Sequence, residues 1–291
     1  FRPRWKNRYE ETLAQFVKRR FGQEFLTYAI DALVAGIYAG NPERLSVMHG
    51  FPRLYNAEQK YGSLIKAQYM GARERKKSGR TSKQDARTLS FDGGLQVLID
   101  GLKCNLGNSI HLNCPVKKIT QTGAFWKVSW MEDGSLMEKE HSAVLICVPA
   151  HAIEEIKLES KSGYTFSRLS EIPYAPVTSV ALGYEQKDVG GNLNGFGFLV
   201  PGIEKLNILG TLYSSSLFPN RAPKGHVLLT SYVGGMRQPE LTGLPQDKLF
   251  DMVHENLASL LKITGKPTFR MAFHHTYAIP QYNIGYGVYK Y

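Results

Sequence analysis

Along the first third of the chain, apolar positions recur at helical intervals. Leu13, Phe16, Val17 and Phe21 share one face of a helix over residues 10–21, with Gly22 where such a helix stops. Phe25, Leu26, Ala29, Ile30, Leu33 and Val34 repeat the spacing in a second helix. Gly36 and Gly40 bracket a turn, with Pro42 just beyond. Leu54, Glu58, Tyr61 and Ile65 suggest a third helix. The first part of the chain therefore reads as helical.

At Ser90 the period changes. The segment SFDGGLQVLIDGLKCNLG offers Leu95, Leu98, Ile99, Leu102 and Leu106 as one helix face. Strands are expected next at IHLN, at PVKKI and at WKVSW, where Trp126, Val128 and Trp130 alternate with Lys127 and Ser129. After the turn EDGS, the run AVLICV (143–148) has the continuous apolar character of a strand buried on both faces. This order suits a nucleotide-binding α/β domain whose first unit lies upstream. A second strand-rich region spans 161–276, with VTSVALGY, LNILGTLY and HVLLTSYV separated by Gly/Pro-rich loops. A helix from Asp247 to Leu261 aligns Leu249, Val253, Leu257 and Leu260 and closes it.

Composition adds limits rather than a function. The chain has 291 residues, 43% hydrophobic and 21% charged, which is ordinary for a folded protein and excludes a disordered or fibrous one. No apolar run reaches the roughly 18–20 residues of a bilayer-spanning helix, so membrane contact is expected only at the surface. Three cysteines, Cys104, Cys114 and Cys147, form no CxxC pair, which argues for a reducing, cytoplasmic setting. Much of the net charge of +11 is local, lying between Arg73 and Arg87, a stretch read as a loop. RNA binding by that loop would call for stacking aromatics among the basic residues, and 73–90 contain none, so no nucleic-acid partner is expected.

No self-contained catalytic motif is present. There is no GxGxxG, P-loop or GxSxG, and GFGF at Gly195–Phe198 lacks the pyrophosphate spacing. His274 and His275 are adjacent, so in a strand they point to opposite faces, and no metal site is expected.

Several longer strings do carry information together. FVKRRFGQEF, GIYAGNPERLSV, FPRLYNAEQKYGSLI, SFDGGLQVLIDGL, GFGFLVP, LGTLYSSSLFPNRAP, LLTSYVGG and AIPQY occur in one order from about residue 8 to 286. That order resembles the protoporphyrinogen oxidases of the flavin amine oxidase superfamily. The resemblance implies an internal piece of a longer α/β and α+β flavoenzyme: a helical substrate- and membrane-docking segment (1–88), a partial Rossmann-like FAD-binding domain (89–160), a mixed-sheet substrate domain (161–276) and a return to the FAD domain (277–291). It implies FAD as cofactor and protoporphyrinogen IX, or alternatively coproporphyrinogen III, as substrate. Peripheral contact with a membrane and a homodimer are further expectations.

Residue by residue, the resemblance implies that Leu199 and Leu212 clamp a face of the macrocycle, Tyr232 stacks on it, and the carbonyl of Gly197 faces the pyrrole nitrogens. Tyr232 stands where plant-type members have Phe. Val116 matches an adenine contact through its backbone. His275, in the strand that reaches the isoalloxazine, replaces an aromatic, and Gly285–Tyr286 replaces a Gly-His pair. The propionate-binding arginine and the Gly-rich pyrophosphate turn are expected upstream, and the last flavin contacts downstream. No catalytic acid, base or nucleophile is required, because the flavin carries the redox chemistry.

Overall fold

A computed structural model describes residues 10–77 and 89–290. The chain divides into two compact units, one from the described residues within 1–86 and 173–291, the other from those within 87–172.

The larger unit opens with helices α1 (Leu13–Phe21), α2 (Gln23–Phe25), α3 (Asp31–Tyr38), α4 (Val47–Gly50), α5 (Pro52–Tyr61) and α6 (Leu64–Lys77). A capping box starts α1: Thr12 accepts from the Gln15 N–H while Gln15 accepts from the Thr12 N–H. Leu13, Phe16 and Val17 are buried against Leu26, Val34, Leu45 and Val47, but Phe21 is exposed, contrary to the expected face. The expected second helix is not uniform. A π-helical turn over Leu26–Ile30 separates α2 from α3 and rotates the apolar face, burying Leu26 and Val34 and leaving Phe25 and Leu33 exposed. The expected third helix breaks at Gly62, which is left-handed (φ 69°), so Ile65 falls on the exposed side of α6. Glu58 lies buried in α5 and accepts from both Arg19 and Arg20, and Arg19 also bridges to Glu11. Burial pulls the Arg19 guanidinium down, but its bonds to Glu11 and Glu58 outweigh that and hold it above its ordinary value. The basic stretch read as a loop begins inside α6, and the side chains from Arg75 to Arg87 lie outside the described residues.

The smaller unit holds α7 (Gln96–Leu106) and a four-stranded mixed sheet in the order β3-β2-β1-β4. Its strands are β1 (Val116–Thr122), β2 (Phe125–Glu132), β3 (Ser135–His141) and β4 (Lys157–Glu159). β1–β2–β3 is an antiparallel meander, and β4 runs parallel to β1. Two expectations are corrected here. IHLN is a loop rather than a strand, because Asn113 takes a left-handed conformation (φ 57°) that turns the chain. The 143–148 run is not a strand either, and Leu145 is 88% exposed. A strand buried on both faces needs a neighbour on each edge, and none of the described strands pairs with this run. The expected apolar face of α7 is likewise exposed at Leu95, Leu98, Ile99, Leu102 and Leu106.

The larger unit resumes with a five-stranded sheet in the order β6-β7-β8-β5-β9. It is antiparallel at every pairing, so mixed pairing occurs in the smaller unit instead. The strands are β5 (Tyr174–Glu185), β6 (Gly197–Leu199), β7 (Gly210–Leu212), β8 (His226–Gly234) and β9 (Phe269–Pro280), with helices α8 (Ser214–Leu217) and α9 (Gln246–Leu261). Alternation divides the sheet cleanly. Val180, Leu182 and Tyr184 of β5 and Val227, Leu229 and Val233 of β8 face Leu249, Val253 and Leu257 of α9 and form the main core. Leu260 is exposed, and Leu261 takes its place in that core.

Candidate functional site

The opposite face of the same sheet is where the sequence-derived site residues meet. Register pairs Gly197 with Leu212 and Leu199 with Gly210, then Gly210 with Tyr232 and Leu212 with Thr230. Tyr232 in turn pairs with Ser179, which pairs with Phe273, while Val177 pairs with His275. Directly paired residues project to one side. Gly197, Leu199, Leu212, Tyr232 and His275 are therefore on the face that α9 does not cover.

Among the described residues, α3 covers part of this face. Ala35 and Ala39 pack on Val177 and Leu209, with Tyr232, Ala278 and Ile279 around them. Between α3 and the sheet is a cavity of about 520 Å³, whose walls include Leu199, Leu212, Tyr232, His275, Ser179 and Gly36. Its size is in the range of a small-molecule site. Among the described residues, no lysine, arginine or carboxylate lines it. Two leucines, an aromatic ring and small side chains at its base make a slot suited to a flat apolar ligand.

The cavity brings together four of the six residues singled out in the sequence. Gly197 is one strand pair away and does not line it; its φ of 137° and a backbone so close that a Cβ would meet Thr211 O at 2.0 Å explain the glycine. Val116 opens β1 in the smaller unit.

Three residues to which the sequence gave no site role also shape the site. Gly36, expected at the start of a turn, lies within α3, which runs on to Tyr38, directly against Leu199, whose Cδ2 would be 2.6 Å from an added Cβ. Asp31 and Arg237 fix α3 to the β6–β7 hairpin. Asp31 Oδ2 accepts the Gly202 N–H at 2.6 Å and pairs with Arg237 Nη2 at 2.9 Å. Arg237 donates onward to the Asp31 carbonyl (2.6 Å) and the Val200 carbonyl (3.3 Å). Burial depresses the Arg237 pKa, and Asp31 opposes that shift. In sequence, Asp31 registers only as a charge within an apolar run; its partner is some 200 positions away, and no local signal joins them.

An α/β unit, together with a larger unit whose antiparallel sheet turns an apolar face to a cavity, is the build of the flavoprotein oxidoreductases. The chain belongs to the flavin containing amine oxidoreductase family, which it matches over residues 2–291. It is 32% identical over 297 residues to protoporphyrinogen oxidase 2 of Arabidopsis thaliana, covering 95% of this chain and 58% of that protein. Similarity to human protoporphyrinogen oxidase is 32% over 298 residues (95% and 60% covered). To the coproporphyrinogen III oxidase of Bacillus subtilis it is 26% over 289 residues (98% and 59% covered). The fold is shared with a protoporphyrinogen-oxidase-like crystal structure from Exiguobacterium, at TM-score 0.72 and 20% identity, over 97% of this chain and 58% of that one. The chain thus spans about three fifths of the length of these relatives.

The cofactor of the family is FAD. On the open face of β9, His275 is flanked by the exposed side chains of Phe273 and Tyr277, an apolar strip that fits a flat ring. The sequence holds no Gly-rich turn for the pyrophosphate.

Proposed function

We propose that this chain is the substrate-holding part of an FAD-dependent porphyrinogen oxidase, converting protoporphyrinogen IX to protoporphyrin IX with oxygen as final acceptor. The observation that carries the reading is the meeting of Leu199, Leu212, Tyr232 and His275 at one apolar cavity. When bound, FAD supplies the hydride-accepting chemistry. The chain's own residues orient the macrocycle: Leu199 and Leu212 press on a ring face, and Tyr232 presents a flat surface to it. Apolar walls suit the body of the macrocycle rather than its carboxylates, of which protoporphyrinogen carries two and coproporphyrinogen four.

Docking on a membrane surface is part of this proposal. Phe21, Phe25, Tyr28, Leu33 and Ile37 are exposed along the helical segment. Among the described residues no helix is long and apolar enough to cross a membrane.

The direct test uses protoporphyrin IX as a stable probe. Titration of the full chain should show saturable quenching of probe fluorescence, with weaker binding of coproporphyrin III. The double variant Leu199→Ala/Leu212→Ala should bind protoporphyrin at least about 10-fold more weakly, since each leucine contributes roughly 1.5–3 kcal/mol of apolar contact when covered. Unchanged affinity in that variant would remove the cavity from the reading.

A further inference from the structure

In the smaller unit a thiol, an imidazole and a carboxylate converge, outside the substrate face and unrelated to any motif of the porphyrinogen reading. We propose that His111, Cys114 and Glu132 form a binding site for a borderline-soft divalent cation, with zinc as the fitting ion.

The convergence is built by local structure. Asn113, at φ 57°, reverses the chain within the tetrapeptide His111–Cys114 and turns residues three apart toward one side. The Met131 N–H donates to the Pro115 carbonyl at 3.1 Å, which ties the loop to the end of β2 and sets Glu132 beside it. One ligand atom from each of the three residues lies within 4.8 Å of the others.

The spacing favours coordination over direct bonding. His111 Nδ1 and Glu132 Oε1 are 3.4 Å apart, which is long for a hydrogen bond. It is close to the edge of a tetrahedron whose metal–ligand bonds are about 2.05 Å, roughly 3.3 Å. The other carboxylate oxygen, Oε2, accepts from Trp130 Nε1 at 3.1 Å, leaving Oε1 directed at the imidazole. An outer donor of this kind is what orients a ligating carboxylate.

Charge and softness agree. The Cys114 thiol is pushed up by burial and by the neighbouring Glu132 carboxylate. A divalent ion changes that balance: Sγ loses its proton to solvent, and thiolate, carboxylate and neutral imidazole together make an uncharged set with a dication. The thiolate selects against magnesium and calcium, which take oxygen ligands. His111 has 60% of its side chain exposed, so the fourth position faces solvent and is filled by water.

Cobalt(II) is the probe. Equimolar cobalt added to the reduced full chain should give a near-ultraviolet thiolate-to-metal band and visible ligand-field bands of tetrahedral intensity, and zinc should displace them. Cys114→Ser should abolish the near-ultraviolet band, and His111→Ala and Glu132→Gln should each weaken binding. Trp130→Phe should lower affinity about 10-fold through loss of the outer donor. Cys104→Ser and Cys147→Ser should leave the spectrum unchanged. All variants should keep the circular dichroism of the parent, because the three side chains lie on a loop and a strand end. A band that survives Cys114→Ser overturns the proposal. So does one indifferent to both His111→Ala and Glu132→Gln, which would mark a solitary thiol, and so does the absence of any thiolate band.

Discussion

Leu199 and Leu229 belong to one sheet and differ in what they touch. Leu229 is fully buried against α9, whereas Leu199 is 45% exposed at the cavity. Truncating a core leucine removes apolar contact and leaves a void, so Leu229→Ala should cost about 2–5 kcal/mol of stability. Leu199→Ala and Leu212→Ala should leave the melting temperature nearly unchanged. In a chain carrying the flavin segments they should lower kcat/KM about 10- to 100-fold. Parallel melting and turnover measurements separate the two kinds of leucine, and unfolding of Leu199→Ala would count against its cavity role. The two glycines of the site should part company in the same way. At Gly36 an added methyl meets only the tip of Leu199, and alanine is the better helix former by roughly 1 kcal/mol, so Gly36→Ala should keep or raise stability while narrowing the slot. At Gly197 the methyl meets the Thr211 carbonyl and φ is 137°, so Gly197→Ala should destabilise by at least about 2 kcal/mol. Protoporphyrin titration and calorimetry on the two variants check both directions.

Among the elements, β4 is a short edge strand. Only Lys118–Lys157, Ile119–Leu158 and Thr120–Glu159 pair it to β1, and charged side chains supplement those bonds. Glu159 is held by Lys118 Nζ at 2.7 Å and Lys157 Nζ at 2.9 Å, and Thr120 donates to it at 3.2 Å. These bonds, with Lys118 first, lower the Glu159 pKa to about 2. The folded value lies below the unfolded one, so the stabilisation is full above the ordinary carboxylate range and is lost as pH falls through about 2. Carbon-13 titration of the Glu159 carboxyl should give a midpoint near 2, and Lys118→Met/Lys157→Met should move it up toward ordinary values. Amide exchange in β4 should accelerate in the parent below that midpoint. A midpoint already near 4.5 in the parent would mean that the two ion pairs are not formed in solution.

In the chain as a whole, apolar surface is distributed unevenly. The larger unit covers its main core with α9, whereas the smaller unit leaves Leu95, Leu98, Leu102 and Leu106 of α7 in water, together with Leu145 of the unpaired run. An exposed apolar helix face of this kind binds apolar ligands. The isolated chain should therefore bind a hydrophobic dye such as ANS strongly. Leu98→Gln/Leu102→Gln should cut the dye signal by more than half without lowering the melting temperature, since neither residue supports a core in this chain. A fall in melting temperature instead would show that the α7 face is packed.

What the sequence determined by itself is whatever depends on near neighbours or on a long ordered string of motifs. The helix at Leu13 with its stop at Gly22, the strands β1 and β2, the alternation in β5 and β8 and the α9 stripe through Leu257 all follow from period and turn chemistry, whereas β3 gave no such signal. The strings from FVKRRFGQEF to AIPQY carried the family. Tertiary structure decided the rest. The AVLICV run has the composition of a central strand, yet a strand forms only where edges are available to bond it. The π-helical turn at Leu26–Ile30 moved Phe25 and Leu33 outward, a shift that a fixed helical period cannot register. Gly36 entered the site because α3 crosses the sheet at Leu199, and Asp31 became a clamp only when Arg237 arrived from the far end of β8. His111, Cys114 and Glu132 met because a left-handed asparagine and a strand end lie side by side. Period and composition act over a few residues, whereas a cavity or a ligand set is made by chain segments that only folding brings together.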